Sequence, residues 1–183
     1  MDRLVKDKSV LDTFCTEFCK VVEKHARYII VSGFLVIASG RSRGTEDIDM
    51  IVERMDKARF VKLHEDLVSH GFVCMQSDDQ SMIYEDYLTK KTGVRYTFDD
   101  KPLPEMEIKF AKDQLDDFQL AHRMKIPLTG LDVWFGSIEM NVAFKEDYLK
   151  SEKDIEDAKH LRKMFKVDEH TINEFKKMIR KAR

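Results

Sequence analysis

The sequence predicts an α/β or α+β fold, a mixed β-sheet with helices on one face followed by a helical C-terminal part. Three observations carry this. Short β-branched runs, YIIV at residues 28–31 and IDMIV at residues 48–52, alternate with stretches whose apolar residues recur at helical spacing. Hydrophobic residues make up 43% of the 183, enough to fill the core of one domain of this length. From residue 141 onward the pattern turns helical.

The elements follow in order. Ser9 is placed to cap a first helix whose apolar stripe is Val10, Leu11, Phe14, Phe18, Val21 and Val22. YIIVSG reads as a buried strand ending in a turn, FLVIASG as a short buried helix stopped by Gly40, and IDMIVE as a second strand. Asp56 caps a helix through Ser69, with Gly71 closing it, and FVCMQ follows as a strand. SDDQSMIYEDYLTKK is compatible with a helix, GVRYTFDD with a strand ending in a turn, and PLPEMEIKFA with a strand after its two prolines. Residues 128–135 read as a further strand following a loop. Ser151 or Asp154 opens one C-terminal helix and Asp168 caps the last. The division expected is a sheet domain over residues 1–139 and a helical extension over residues 140–183 packed upon it.

Charge narrows the function. With 32 basic and 34 acidic residues, the chain is not built chiefly for non-specific nucleic-acid binding. Residues 159–183 hold nine basic and three acidic side chains, a local excess of +6 against −8 elsewhere. A solvated helix face accounts for that excess; RNA binding is the sharper alternative. Cys15, Cys19 and Cys74 are too few and too irregular for a disulfide framework, and no nearby His or Cys completes a metal site with the first two. They read as small buried apolar residues. His64, His70, His122 and His160 lack metal spacing, Trp134 and Phe135 read as core, and Met50, Met55, Met75 and Met82 read as packing. The start, MDRLVKDKSV, has no apolar signal region, and no apolar run approaches membrane-spanning length, so a cytoplasmic location is expected.

One constellation carries chemistry. Asp47 and Asp49 are i and i+2 on a predicted strand, so both carboxylates face one side while Ile48 and Met50 face the other. Two adjacent carboxylates repel, and a hard divalent cation, Mg²⁺ or Mn²⁺, relieves the repulsion. Such a pair serves phosphoryl and nucleotidyl transfer. Ser32 and Gly33 sit at a strand end before a helix, where backbone N–H groups meet phosphate oxygens. Arg41 and Arg43 flank Ser42 on the approach to the acids, and guanidinium groups suit triphosphate oxygens, although pairing with Glu46 or Asp47 is the plain alternative.

Residues 32–53, SGFLVIASGRSRGTEDIDMIVE, resemble the opening motif of the nucleotidyltransferase superfamily related to DNA polymerase beta. The Arg-Ser-Arg-x-Thr-x-Asp-Ile-Asp form is most similar to small prokaryotic, often archaeal, members, including those of toxin–antitoxin and abortive-infection systems. The resemblance implies a nucleotidyltransferase-like mixed sheet with flanking helices. It also implies a third carboxylate on a later strand, matched here by Glu107 in MEIKFA, with Glu105 as its competitor on the same face. A second, shorter likeness is Lys145 with SEKDIEDAKHL, where such relatives carry a Lys-Asp-x-x-Asp-Ala-x-x-Leu helix. It suggests that Lys145 or Lys153 reaches the nucleotide phosphates; an ion pair between Lys153 and Asp157, i and i+4, is the alternative.

The implied activity moves a nucleoside monophosphate from an NTP to an acceptor: a protein hydroxyl, an RNA end or a small molecule such as an aminoglycoside. Asp47, Asp49 and Glu107 would hold metal and form the catalytic set. Ser32, Gly33, Arg41, Ser42, Arg43, Lys145 and Lys153 would bind the nucleotide. Two positions depart from the pattern: Phe34 follows Gly33 where many active members carry serine or a second glycine, and the third acid is glutamate rather than the commoner aspartate. These departures favour a second reading, a non-catalytic, antitoxin-like or regulatory binding protein of the same fold.

Overall fold

Capping side chains set the helix starts. The computed structural model describes residues 9–42, 44 and 47–182. In α1 (Val10–Glu23) the Ser9 hydroxyl accepts the Asp12 N–H at 3.1 Å while the Asp12 carboxylate accepts the Ser9 N–H at 3.2 Å. This reciprocal box satisfies two otherwise orphaned donors. Phe14, Phe18, Val21 and Val22 are buried as expected, but Val10, in the first turn, is 66% exposed. Next come β1 (Tyr28–Val31), α2 (Gly33–Ala38), β2 (Asp47–Val52), α3 (Lys57–Ser69) and β3 (Phe72–Cys74). Asp56 caps α3 by accepting the Arg59 N–H at 2.8 Å, and Gly71 leaves it at φ +86°. Residues 80–90 form α4 (Gln80–Met82), widening into a π turn (Ile83–Tyr87) and tightening into a 3₁₀ turn (Leu88–Lys90).

The next stretch departs from expectation in three ways. The strand β5 (Lys101–Phe110) begins before Pro102 and Pro104 instead of after them, in a hairpin with β4 (Val94–Phe98). Both prolines precede Glu105, where pairing with β2 begins, so the missing N–H groups cost that ladder nothing. A helix, α5 (Gln114–Ala121), stands where a loop was expected. Its buried face mixes Leu115 and Leu120 with Asp116 and Gln119, which masks the apolar period; Asp113 caps it. Residues 128–135 are not one strand. Pro127–Thr129 is a 3₁₀ turn, Gly130 reverses the chain at φ +68°, and only β7 (Trp134–Phe135) pairs, with β6 (Met124–Lys125) on one side and β1 on the other.

Among the described residues the sheet has the order β3-β4-β5-β2-β1-β7-β6, with β2–β5 and β1–β7 parallel and the remaining neighbours antiparallel. Its register sorts the side chains into two faces. Ile30, Ile48, Met50, Tyr96, Met106 and Ile108 share the apolar face, where the α1 rings pack: Phe18 lies 5.7 Å from Tyr96. The opposite face carries Arg95, Glu105, Glu107, Asp47 and Asp49, and then turns apolar at Ile29, Val31 and Ile51. Leu120 of α5 covers that apolar end together with Ala111. Helices therefore lie on both faces, not on one. An amphipathic sheet face that is charged at one end and apolar at the other needs a helix only over the apolar end.

The C-terminal part comprises α6 (Ile138–Phe144), a π turn (Lys145–Leu149), α7 (Glu152–Met164) and α8 (Glu169–Lys181), capped by Ser137, Ser151 and Asp168. Leu161, Ile172 and Ile179 belong to the same buried cluster as Phe34 and Leu35. Much of the basic excess here is neutralised locally: Arg162 and Lys176 both pair with Glu146, and Arg180 with Asp147. The three cysteines are buried with free thiols. Two packing expectations change. Met75 and Met82 are exposed, and Trp134 is only partly buried, with Arg123 4.4 Å and Lys125 4.7 Å from its ring. Among the described residues, no helix is long and apolar enough to cross a membrane.

Candidate active site

Strand geometry places the acids. Asp49 stands opposite Glu107 and Asp47 opposite Glu105 in the parallel β2–β5 pair, and Arg95 of β4 stands opposite Glu107. All project from the face that α5 leaves uncovered. Lys109, two residues beyond Glu107, holds its carboxylate at 2.9 Å, while Arg95 lies 3.5 Å from Glu105 and 4.0 Å from Glu107. Burial holds the Asp49 carboxyl above its ordinary pKa; Glu107 and Asp47 push the same way, while Lys109 and the Ser32 hydroxyl oppose them. This is the electrostatic signature of a carboxylate that gains from a nearby cation.

The turn before α2 is strained. Ser32 adopts φ 67° and ψ −139°, a conformation that suits glycine, while Gly33 has no positive φ and simply begins the helix. The serine and glycine are thus in the reverse of the order the backbone would favour. The Ser32 hydroxyl is near enough to Asp49 to favour its charged form. Phe34 is fully buried in the core and does not line the cleft beside Asp49.

A cleft of about 270 Å³ opens beside Asp49. Ser32 and Asp49 line one wall, and Lys145 and Tyr148 reach it from the C-terminal part about a hundred residues later. Lys145 is 2% exposed and Asp157 of α7 is 0% exposed. Their ion pair measures 2.9 Å, with Asp154 3.5 Å from the same ammonium. Arg41 also pairs with Asp157, so its guanidinium braces the Lys145 partner instead of lining the cleft. Ser42 is exposed in the loop before β2, and Arg43 lies outside the described residues. Lys153 is exposed on α7 and, among the described residues, makes no ion pair with Asp157, which faces inward.

The donors suit a divalent cation in kind: Asp47, Asp49 and Glu107 are hard oxygen ligands on one face. In the arrangement described, Glu107 is turned to Lys109, and among the described residues no three His, Cys, Asp or Glu side chains converge to hold an ion. Lys109 takes Glu107 Oε1, so the other carboxylate oxygen, or both once Lys109 moves away, would serve a shared metal.

Sequence reasoning missed several cleft residues. Asp116 and Gln119 lie on α5, which its pattern concealed, and Lys91 and Lys112 lie in connections. Phe144 and Tyr148 were open to discovery, because they sit one turn apart around Lys145 and their rings meet edge to face at 5.4 Å. Gly93 was also missed. A Cβ there would stand 2.4 Å from Glu107 Oε1 and 2.9 Å from Lys109 Cε, so a side chain at this position would displace the ends of that pair.

The sequence matches no protein-family model and no curated protein. Solved structures are more informative. ANT(2″)-Ia in complex with adenylyl-2″-tobramycin is similar with a TM-score of 0.55 at 16% identity, over 95% of this chain and 99% of that one. The fold is nucleotidyltransferase-like. A solution structure of the antibiotic-resistance factor ANT(2″)-Ia agrees, with a TM-score of 0.53 at 15% identity over 93% of this chain and 94% of that one. So does an antigenic nucleotidyltransferase-like protein from Paracoccidioides brasiliensis, with 0.51 at 18% identity over 81% and 73% of the two chains.

Proposed function

We propose that the chain is a metal-dependent nucleotidyltransferase that moves a nucleoside monophosphate from an NTP to an acceptor hydroxyl. The observation that carries this is the cleft itself: Ser32 and Asp49 from the sheet meet Lys145 from the C-terminal part beside the strip of Asp47 and Glu107. Asp47, Asp49 and Glu107 would hold Mg²⁺ or Mn²⁺, which when bound supplies Lewis-acid charge to phosphate oxygens. Lys145 binds and neutralises the triphosphate, held in place by Asp157 and, through it, by Arg41. Ser32 fixes the Asp49 carboxylate. The Phe144 and Tyr148 rings shield the reacting phosphate from water. Glu107 takes the proton of the attacking hydroxyl as its oxygen bonds to the α-phosphorus, and pyrophosphate departs with the electron pair of the broken P–O bond. Ser42, exposed in the loop leading to Asp47, would meet the β- and γ-phosphates, and Arg43, next to it in sequence, would join it; Lys153, exposed on α7, is given no role in this reading.

The test is incubation with labelled NTPs, Mn²⁺ and candidate acceptors, small-molecule hydroxyls first, since one fold neighbour holds adenylyl-2″-tobramycin. Wild type should bind NTP in a metal-dependent way and transfer label, and Asp49→Ala should do neither. Equal behaviour of the two proteins sinks the proposal. One observation favours the second reading, a non-catalytic partner of the antitoxin-like or regulatory kind: Glu107 is already held by Lys109 at 2.9 Å. That reading requires a protein complex that survives the loss of both Asp47 and Asp49.

A further inference from the structure

Resting on the transferase reading, we infer that the acceptor is a small hydroxyl compound bearing a phosphate, which is recognised by Lys91 and Lys112. The charged groups lining the cleft are Lys91, Lys109, Lys112 and Lys145 against Asp49 and Asp116. Lysines outnumber carboxylates in the lining, which favours an anionic acceptor over a cationic one. Asp49 belongs to the metal-facing pair, and the buried Asp116 accepts the Lys112 backbone N–H at 2.9 Å. Two of the lysines are likewise engaged, Lys109 with Glu107 and Lys145 with Asp157. Lys91 and Lys112 differ: both are exposed, and among the described residues neither ammonium lies within 4.0 Å of a carboxylate.

The backbone presents both of them. Lys91 sits at φ 61° at the end of the 3₁₀ turn, and the next residue, Thr92, donates its N–H back to Tyr87 at 3.0 Å. Lys112 is tied through its N–H to Asp116, with its ammonium 6.0 Å from the Tyr148 ring centroid. Two lysines brought by separate connections to the lining of one small cleft suit a phosphate, and the apolar residues of that lining, with Gln119 and Asn141 among them, suit a carbon skeleton bearing hydroxyls. A space of about 270 Å³ takes a small molecule. An RNA strand would need a basic track leading away, and several of the C-terminal cations that could form one are paired, Arg162 and Lys176 with Glu146 and Arg180 with Asp147.

The experiment uses the full chain with labelled ATP, Mn²⁺ and a metabolite extract freed of RNA and protein by ultrafiltration. The extract is split by ion exchange into anionic, neutral and cationic pools, and the retained RNA is assayed separately. Label should pass into the anionic pool. With that pool, Lys91→Glu combined with Lys112→Glu should raise the acceptor KM by about tenfold or more while the ATP KM stays within about twofold. Lys91→Gln with Lys112→Gln should show the same split more weakly, and thermal melting should confirm that both variants fold. Transfer only to neutral or cationic compounds or to RNA overturns the inference and leaves the transferase reading standing. A rise in the ATP KM instead of the acceptor KM also overturns it, because the lysines then serve the donor. Failure of wild type to bind NTP at all overturns the transferase reading itself.

Discussion

Asp157→Ala is the perturbation with the most to say about how the two halves of the site are joined. It removes a fully buried carboxylate from Lys145, which is 2% exposed and cannot rehydrate without opening the structure. Breaking a buried pair from one side costs about 3–5 kcal/mol, because a charge remains desolvated. Two features set this case near the low end. The Arg41 side chain is 25% exposed and can turn to water, and Asp154, 3.5 Å from the Lys145 ammonium, offers partial compensation. A loss of about 3 kcal/mol corresponds to a fall in Tm of about 6–12 °C for a domain of this size. The control replaces both partners, Lys145→Met with Asp157→Val, and should recover most of the loss, since removing a buried pair altogether is often neutral. Thermal and urea unfolding followed by circular dichroism measure both variants. A loss below about 1 kcal/mol for Asp157→Ala would show that Lys145 finds water or another partner. A double variant as unstable as the single would assign the effect to packing instead of charge. The double variant should keep the fold and still lose metal-dependent NTP binding, separating the functional use of Lys145 from its structural cost.

Three further predictions follow from single positions. Ser32→Gly relieves a strain of about 1–2 kcal/mol at φ 67° but gains unfolded-state entropy and drops the hydroxyl on Asp49, so stability should stay within about 1 kcal/mol while Mn²⁺-dependent NTP binding weakens; unchanged binding would remove Ser32 from the site. Gly93→Ala pushes on the mobile end of Glu107 at 2.4 Å and should lower transfer by about tenfold or more with little change in Tm; full activity would remove Glu107 from the catalytic set. The bonds from Arg162, and then Lys176, hold the Glu146 carboxyl below its ordinary pKa. The folded value lies below the unfolded one, so the stabilisation is present above the unfolded value and is lost as pH falls through the folded one. Glu146→Gln should therefore be about 1 kcal/mol less stable at pH 7, with the gap closing below about pH 4 in pH-resolved urea titrations.

Much of the scaffold was legible because its signals are local. Ser9, Asp56 and Asp168 cap the helices they were expected to cap, and of the two candidates Ser151 and Asp154 it is Ser151 that caps α7, since a cap needs only its own side chain and the next few N–H groups. The middle of the chain was not legible for a related reason. In α5 the buried face includes Asp116 and Gln119, whose places are set by Lys112 and the cleft rather than by any apolar period. Residues 128–135 carried an apolar pattern, but Gly130 turns the chain and leaves only Trp134 and Phe135 to pair.

The sequence by itself determined that Asp47 and Asp49 share a face, because alternation along a strand is a property of the backbone. It also placed Ser32 at a turn and Lys145 in a helical region. Only the tertiary structure decided their company. The parallel register of β2 on β5 put Glu107 beside Asp49, the packing of the C-terminal part carried Lys145 into the cleft, and Asp157 took Arg41 and Lys145 instead of Lys153, the alternative partner that helix spacing had offered. Pairings across fifty to a hundred residues depend on which faces bury against one another, and that choice is made by the whole core at once.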